Sequence, residues 1–243
     1  MFDINCDMGE IKDFVDNNTY AELMKYVTSI NLACGGHAGD DDIMEEMIQI
    51  AKQKHVKIGA HPSYPDRENF GRLELNIGPE QLFESITSQI QKLIDIAKKE
   101  DVRIEHVKPH GALYNIASNN NNLAELIGKS VQKIDPKLAI MCLAGSPMVS
   151  ILQKSGMNVI SEAFADRAYN ADGTLRNRDL DGALITDPVH ATNQAKLIAN
   201  NQKVIAFDGS EVSIQAKTIC VHSDTPNALE ISKAVSLAIN SYD

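Results

Sequence analysis

Five short segments place acids, amides and histidines directly at the ends of apolar runs. They are Asp3-Ile4-Asn5-Cys6-Asp7, Asn31-Leu32-Ala33-Cys34-Gly35-Gly36-His37, His61-Pro62-Ser63-Tyr64-Pro65-Asp66, Lys108-Pro109-His110-Gly111 and Cys220-Val221-His222-Ser223-Asp224. Asp7 suits a general base or a metal ligand, or else a cap for the Met8-Gly9-Glu10 turn. His61 and His110 each end an apolar run beside a proline and are the strongest candidates for acid–base chemistry. His37 follows two glycines just before a helix start. Free N–H groups there suit an anion, and a tight turn needs the same residues. Lys108 can meet a carboxylate or phosphate, or can be buried as a structural partner of acids. In Glu162-Ala163-Phe164-Ala165-Asp166-Arg167, the Arg167 guanidinium can fork onto a substrate carboxylate or fix the loop by pairing with Asp166 or Glu162. Asn5, Asn31 and His222 are placed to orient these groups. His106 reads as structural, and His55 and His190 as surface residues.

Asp7, His37, His61, His110, Glu162 and His222 are all metal-ligand types. No HxxxH or HExxH spacing brings two of them together locally, so no tightly bound catalytic metal is expected. No serine lies in a nucleophile elbow, which argues against a Ser-His-Asp hydrolase.

Residues so far apart in sequence need a scaffold that gathers strand ends on one face. Seven runs read as buried strands, at about 2–6, 28–34, 57–61, 103–108, 138–143, 158–163 and 217–222. Helical patterns separate most of them: 40–55 with Asp40 as N-cap, 79–100 with Pro79 in the first turn, 122–134, 146–154, 187–200, and a last one opened by Thr225-Pro226. Alternation puts Asp3, Asn5 and Asp7 on one face of the first strand and Ile4 and Cys6 on the other. The second, third and last strands divide likewise, which suits a β/α barrel with a polar interior. The fourth fits less well, because Ile104 shares parity with His106 and Lys108. Lys203 to Gln215, turning at Asp208-Gly209, reads as a β-hairpin inserted before the last strand. Tyr64 to Arg72 forms a long loop over the same face, a candidate lid. The expectation is a single α/β domain over 1–243, a TIM-barrel-like fold.

The net charge of −10 argues against nucleic acid or an anionic membrane surface as partner. No apolar run approaches the roughly 20 residues of a transmembrane helix. Four cysteines without CxxC spacing, and no visible leader, read as buried thiols in a cytoplasmic protein.

Taken together, the segments resemble the LamB/YcsF family. The resemblance runs through Asp3 to Glu10, Asn31 to Asp40, Gly59 to Asp66, Val107 to Asn115, Glu162 to Tyr169 and Thr218 to His222, in order and over nearly the whole chain. Two loops depart from the pattern: Ser223 stands where glycine is usual, and Arg67-Glu68-Asn69 precedes Phe70-Gly71-Arg72. The resemblance implies a seven-stranded β/α barrel of the glycoside hydrolase/deacetylase type. It also implies one component of a hydrolase that opens 5-oxo-L-proline to L-glutamate with ATP, together with separate B and C subunits. Asp7, His61 and His110 would then handle protons or activate water. Asn5, Asn31, His37, Lys108, Glu162, Arg167 and His222 would bind substrate. ATP, with Mg2+, would be a co-substrate, although no Walker loop is present. The alternative readings are a metal-dependent deacetylase-like hydrolase and a non-catalytic subunit that binds a small ligand.

Overall fold

The computed structural model describes residues 2–240; Met1 and 241–243 of the 1–243 span lie outside it. Seven strands close into a parallel barrel. They are β1 (Asp3–Met8), β2 (Ser29–Ala33), β3 (Lys57–His61), β4 (Ile104–Val107), β5 (Ala139–Leu143), β6 (Asn158–Phe164) and β9 (Thr218–Cys220). β9 pairs with both β6 and β1 and so completes the ring. The intervening two-stranded sheet of β7 (Lys203–Ile205) and β8 (Glu211–Ser213) is the expected hairpin. Its turn holds Gly209 at φ +86, which glycine adopts without strain. The hairpin is pinned to the loop after β6 by the Phe207 N–H donating to the Tyr169 carbonyl at 2.9 Å.

The surrounding helices follow the sequence signals closely. Helix α3 (Asp41–Lys54) is capped by Asp40, whose carboxylate accepts from the Ile43 N–H at 2.9 Å. α4 (Pro79–Lys99), α6 (Asn121–Ile134), α7 (Pro147–Lys154) and α8 (Pro188–Ala199) lie where periodicity places them. α9 (Ala228–Asn240) starts later than its Thr225-Pro226 signal. The Thr225 hydroxyl is used instead on Asp166, at 2.6 Å. Three short helices had no periodic signal: α1 (Lys12–Asp16), α2 (Thr19–Leu23) and α5 (Gly111–Ala117).

Ile4, Cys6 and Met8 of β1 point to the helical layer and are fully buried there. Asn5 and Asp7 point inward. The parity conflict in β4 is resolved by a bulge. Ile58 pairs with Ile104 but Gly59 pairs with His106, so Glu105 is the extra residue and the strand changes face between Ile104 and His106. Ile104 thereby joins the outer core while His106 fills the barrel. Gly59 makes room for it: a Cβ at Gly59 would collide with the His106 ring.

Candidate active site

A ladder of side chains climbs the barrel axis from floor to mouth. At the floor Asp3 accepts from Thr28, Ser29 and Thr218. Asn5 Nδ2 donates to Thr218 Oγ1 at 2.9 Å, and Asn31 Nδ2 donates to Asn5 Oδ1 at 2.8 Å and Asp7 Oδ1 at 2.7 Å. His106 Nε2–H donates to Asn31 Oδ1 at 2.7 Å. Burial holds His106 down at about 4, so it stays a neutral, orienting ring. A buried polar interior is tolerated here because its groups find partners.

Above them Lys108 Nζ lies 2.9 Å from Asp7 Oδ1 and 2.9 Å from Glu162 Oε1. The second contact is an ion pair rather than a hydrogen bond. Cys220 Sγ stands 3.2 Å from the same nitrogen. Burial pushes the Lys108 amine down, but the carboxylates of Asp7 and Glu162 outweigh it and hold the amine well above its ordinary value. Burial raises Asp7, and Lys108 and His61 more than reverse this. Glu162 also accepts from the Tyr114 hydroxyl at 2.8 Å. Of its two readings, Lys108 therefore occupies the buried position between acids. Asp7 caps no turn; its Oδ1 takes the bonds from Asn31 and Lys108, leaving Oδ2 toward His61, 3.5 Å away.

Three histidines and Glu10 gather beside this ladder. His61 Nε2 lies 3.0 Å from His110 Nδ1, and Glu10 Oε1 lies 3.2 Å from His110 Nδ1, 3.7 Å from His61 Nε2 and 2.9 Å from His37 Nε2. The far nitrogens are fixed by backbone: His61 Nδ1–H donates to the Lys108 carbonyl at 2.6 Å and His110 Nε2–H to the Phe70 carbonyl at 2.9 Å. His37 stacks flat on His110 with centroids 3.6 Å apart. Burial, with His110 stacked close by, pushes His37 down to about 3. Burial lowers His61 too, but Asp7 and Glu10 raise it overall. Sequence reasoning named Glu10 only as part of a turn and so missed it. In the Gly35-Gly36 loop Gly35 takes φ +98, and Gly36 packs so closely on Gln89 and Ser63 that a Cβ there would collide with both. The 64–72 loop is packed onto the cluster: Phe70 lies edge-on to both His37 and His110. Glu10, His37, His61 and His110, all metal-ligand types, thus converge from four separate segments although no local spacing pairs them.

On the far side β5, β6 and β9 present a small apolar wall of Leu143, Phe164 and Cys220, joined by Tyr114. His222 stacks on Phe164 and is held by Asp166, whose carboxylate meets the ring Nδ1 at 3.0 Å and accepts from the His222 backbone N–H at 2.9 Å. Between the two walls opens a cavity of about 440 Å³ lined by Asp7, His61, Lys108, His110, Arg167 and His222, with Arg72, Arg176 and Arg178 at its mouth. Arg167 makes neither of its anticipated ion pairs. Its Nη2 donates to the Arg176 carbonyl at 2.7 Å, and its buried Nε has no partner. Asp224 pairs with Arg72 and with Arg178, each at 2.8 Å, and ties two loops across the mouth. Asn5, Asn31, His37 and Glu162 lie behind this lining. The four cysteines are free and buried. Among the described residues no helix is long and apolar enough to cross a membrane.

Comparison with known proteins gives this arrangement a family. The A subunit of 5-oxoprolinase from Bacillus licheniformis is 40% identical over 241 residues, covering 99% of this chain and 95% of that protein. Its counterpart of the same name from Chloroflexus aurantiacus is 44% identical, covering 93% and 89%. The crystal structure of the lactam utilization protein from Thermus thermophilus superposes with a TM-score of 0.89 at 38% identity, covering 98% of this chain and 95% of that one. The LamB/YcsF family model matches residues 2–243, and the chain belongs to that family.

Proposed function

We propose that this chain is the A subunit of a 5-oxoprolinase, a hydrolase that opens the cyclic amide 5-oxo-L-proline to L-glutamate. The observation that carries the reading is the near-full-length similarity to proteins of that name. The cavity's composition supports it. A five-membered lactam needs an apolar seat, a cation for its carboxylate and a polar group at its carbonyl, and the two walls offer all three.

In this reading Asp7 Oδ2 accepts a proton from a water seated beside His61 and His110. A positioned acid or base contributes typically ~10²–10⁴-fold. Arg167 reads the substrate carboxylate through its unpartnered edge. Lys108 and Glu162 hold Asp7 in place, Asn5 and Asn31 orient it from below, and His37 and His222 fix the two rims. An unstrained amide is a poor electrophile, so ATP, with Mg2+, would phosphorylate the amide oxygen and leave as ADP. Water then adds at that carbon, the ring C–N bond breaks with the nitrogen taking a proton, and loss of inorganic phosphate by hydrolysis leaves L-glutamate. The arginines of the mouth suit phosphate oxygens. Partner B and C subunits complete the enzyme in the cytoplasm.

The test is reconstitution with the B and C subunits, scored by ATP-dependent loss of 5-oxoproline and release of glutamate. Glutamate release that proceeds equally well without this chain would leave it with a ligand-binding role only. Acetate release from acetylated sugars, without ATP, would replace the reading by a deacetylase.

A further inference from the structure

We propose that Glu10, His61 and His110 form a binding site for one divalent transition-metal ion, of the borderline class that zinc represents. Two neutral imidazoles whose far nitrogens donate to backbone carbonyls must present bare lone pairs at their near nitrogens. His61 Nδ1–H and His110 Nε2–H are committed in this way, to the carbonyls of Lys108 and Phe70. Their near nitrogens nevertheless face each other at 3.0 Å, with the Glu10 carboxylate oxygen 3.2 and 3.7 Å away. Three electron-rich atoms so close repel unless a cation stands among them. A single proton bridges one edge of that triangle, whereas a metal ion satisfies all three.

The dimensions fit. An ion with bonds of ~2.0–2.1 Å in tetrahedral geometry requires donor atoms ~3.3 Å apart, and the three separations bracket that value. Ligating histidines ordinarily donate the second ring N–H to a carbonyl or carboxylate, and a ligating carboxylate is itself hydrogen-bonded. All three conditions are met, the last by His37 Nε2 at 2.9 Å from Glu10 Oε1. His37 stays outside the ligand set because it lies parallel to His110, at 3°, and parallel lone pairs cannot converge on one ion. Two histidines and one carboxylate leave an open position, the mark of catalytic rather than structural sites. Asp7 stands next to it, 3.5 Å from His61 Nε2. A second convergence, of Asp7, Cys220 and His222, is spent otherwise: Lys108 holds Asp7 and Cys220, and Asp166 holds the His222 ring.

The inference does not rest on the 5-oxoprolinase reading, because metal binding is measured without any activity. The full chain is stripped with a chelator, then titrated with Zn2+ against a chromogenic competitor and with Co2+ by visible absorption. One equivalent of each should bind, with the Co2+ bands of a four- or five-coordinate ion. Glu10→Gln and His110→Asn should weaken Zn2+ by more than the ~10–100-fold expected of His37→Asn, which removes an outer partner. His222→Asn should bind as wild type. Circular dichroism establishes that each variant is folded, and the Co2+ spectrum of the unaltered protein stands even where a variant is not. Absence of stoichiometric binding overturns the proposal, as does unchanged affinity in Glu10→Gln and His110→Asn. So does a metal-refusing protein whose 15N spectrum shows a proton shared between His61 and His110.

Discussion

Replacing Lys108 by methionine keeps the length of the side chain and removes its charge. In the native barrel the ammonium is only 3% exposed and bridges two carboxylates at once, each at 2.9 Å. The variant would strand Asp7 and Glu162 in the interior. Removing one partner from a buried ion pair costs ~3–5 kcal/mol. For a domain of this size ~1 kcal/mol corresponds to roughly 2–4 °C in melting temperature, so Lys108→Met should melt about 6–20 °C lower. Glu162→Gln placed on top of it removes one stranded charge while keeping an acceptor for the Tyr114 hydroxyl. The double variant should therefore recover ~1–3 kcal/mol relative to the sum of the single changes. Thermal and urea melts of the four proteins measure the cycle. A lysine kept free for substrate predicts another pattern, with an unchanged melt and a raised Michaelis constant. A Lys108→Met melt within about 2 °C of wild type, under the same scaling, would refute the bridging role.

His61→Ala and His110→Ala should each lower glutamate formation in the reconstituted complex at least ~100-fold with the barrel intact, and a folded variant keeping a tenth of the activity removes that residue from the chemistry. Arg167→Lys keeps the charge and loses the fork: a clamp for the substrate carboxylate predicts a raised Michaelis constant with turnover little changed, and unchanged kinetics end the clamp. Burial pushes the Asp166 carboxyl up, but His222 and Thr225 hold it below its ordinary value; its stabilising effect is thus complete above the unfolded pKa of ~3.9 and lost as pH falls through the lower folded one. Urea melts from neutrality down into that range should show Asp166→Asn less acid-sensitive than wild type, and parallel slopes would count against the pair. Gly59→Ala should cost ~1–3 kcal/mol by overpacking, because the new methyl meets the His106 ring; a neutral melt would mean that the bulged strand gives way.

Strand ends were legible in the sequence because each barrel strand couples a period of two to a fixed exit direction. Asp7, His61 and His110 stand at strand ends by that rule, and the fold brings them to the same end of the barrel. The bulge at Glu105 was not, because an inserted residue looks like a parity error until the partner strand is known. Glu10 escaped because it sits past the end of β1, where the same residues make a turn, and only the fold brings His37 and His110 to it. The five-residue helices α1 and α2 are too short to show a helical period. Lys108 marks a different boundary: sequence identified a cation at a strand end, but whether it meets solvent or two acids depends on β1 and β6 closing around it.

The same closure divides the site by chemistry. Strands β1 and β3 supply Asp7 and His61, with Glu10 just beyond β1 and Lys108 and His110 just beyond β4, so polar groups crowd one half of the mouth. Strands β5, β6 and β9 supply Leu143, Phe164 and Cys220, a wall that can seat a ring without competing for hydrogen bonds. Arg167 follows directly from β6, so a carboxylate held there would lie over the apolar wall. A small lactam bound by that carboxylate would have its ring on Phe164 and its carbonyl toward Asp7 and His61. The chain as a whole carries −10, yet three arginines, Arg72, Arg176 and Arg178, ring the opening. That reversal favours small anions at the mouth while the acidic exterior repels larger ones. Two of those arginines, Arg72 and Arg178, share Asp224. An incoming anion would compete with Asp224 for them, which couples entry of the ligand to the loops that cover the histidines.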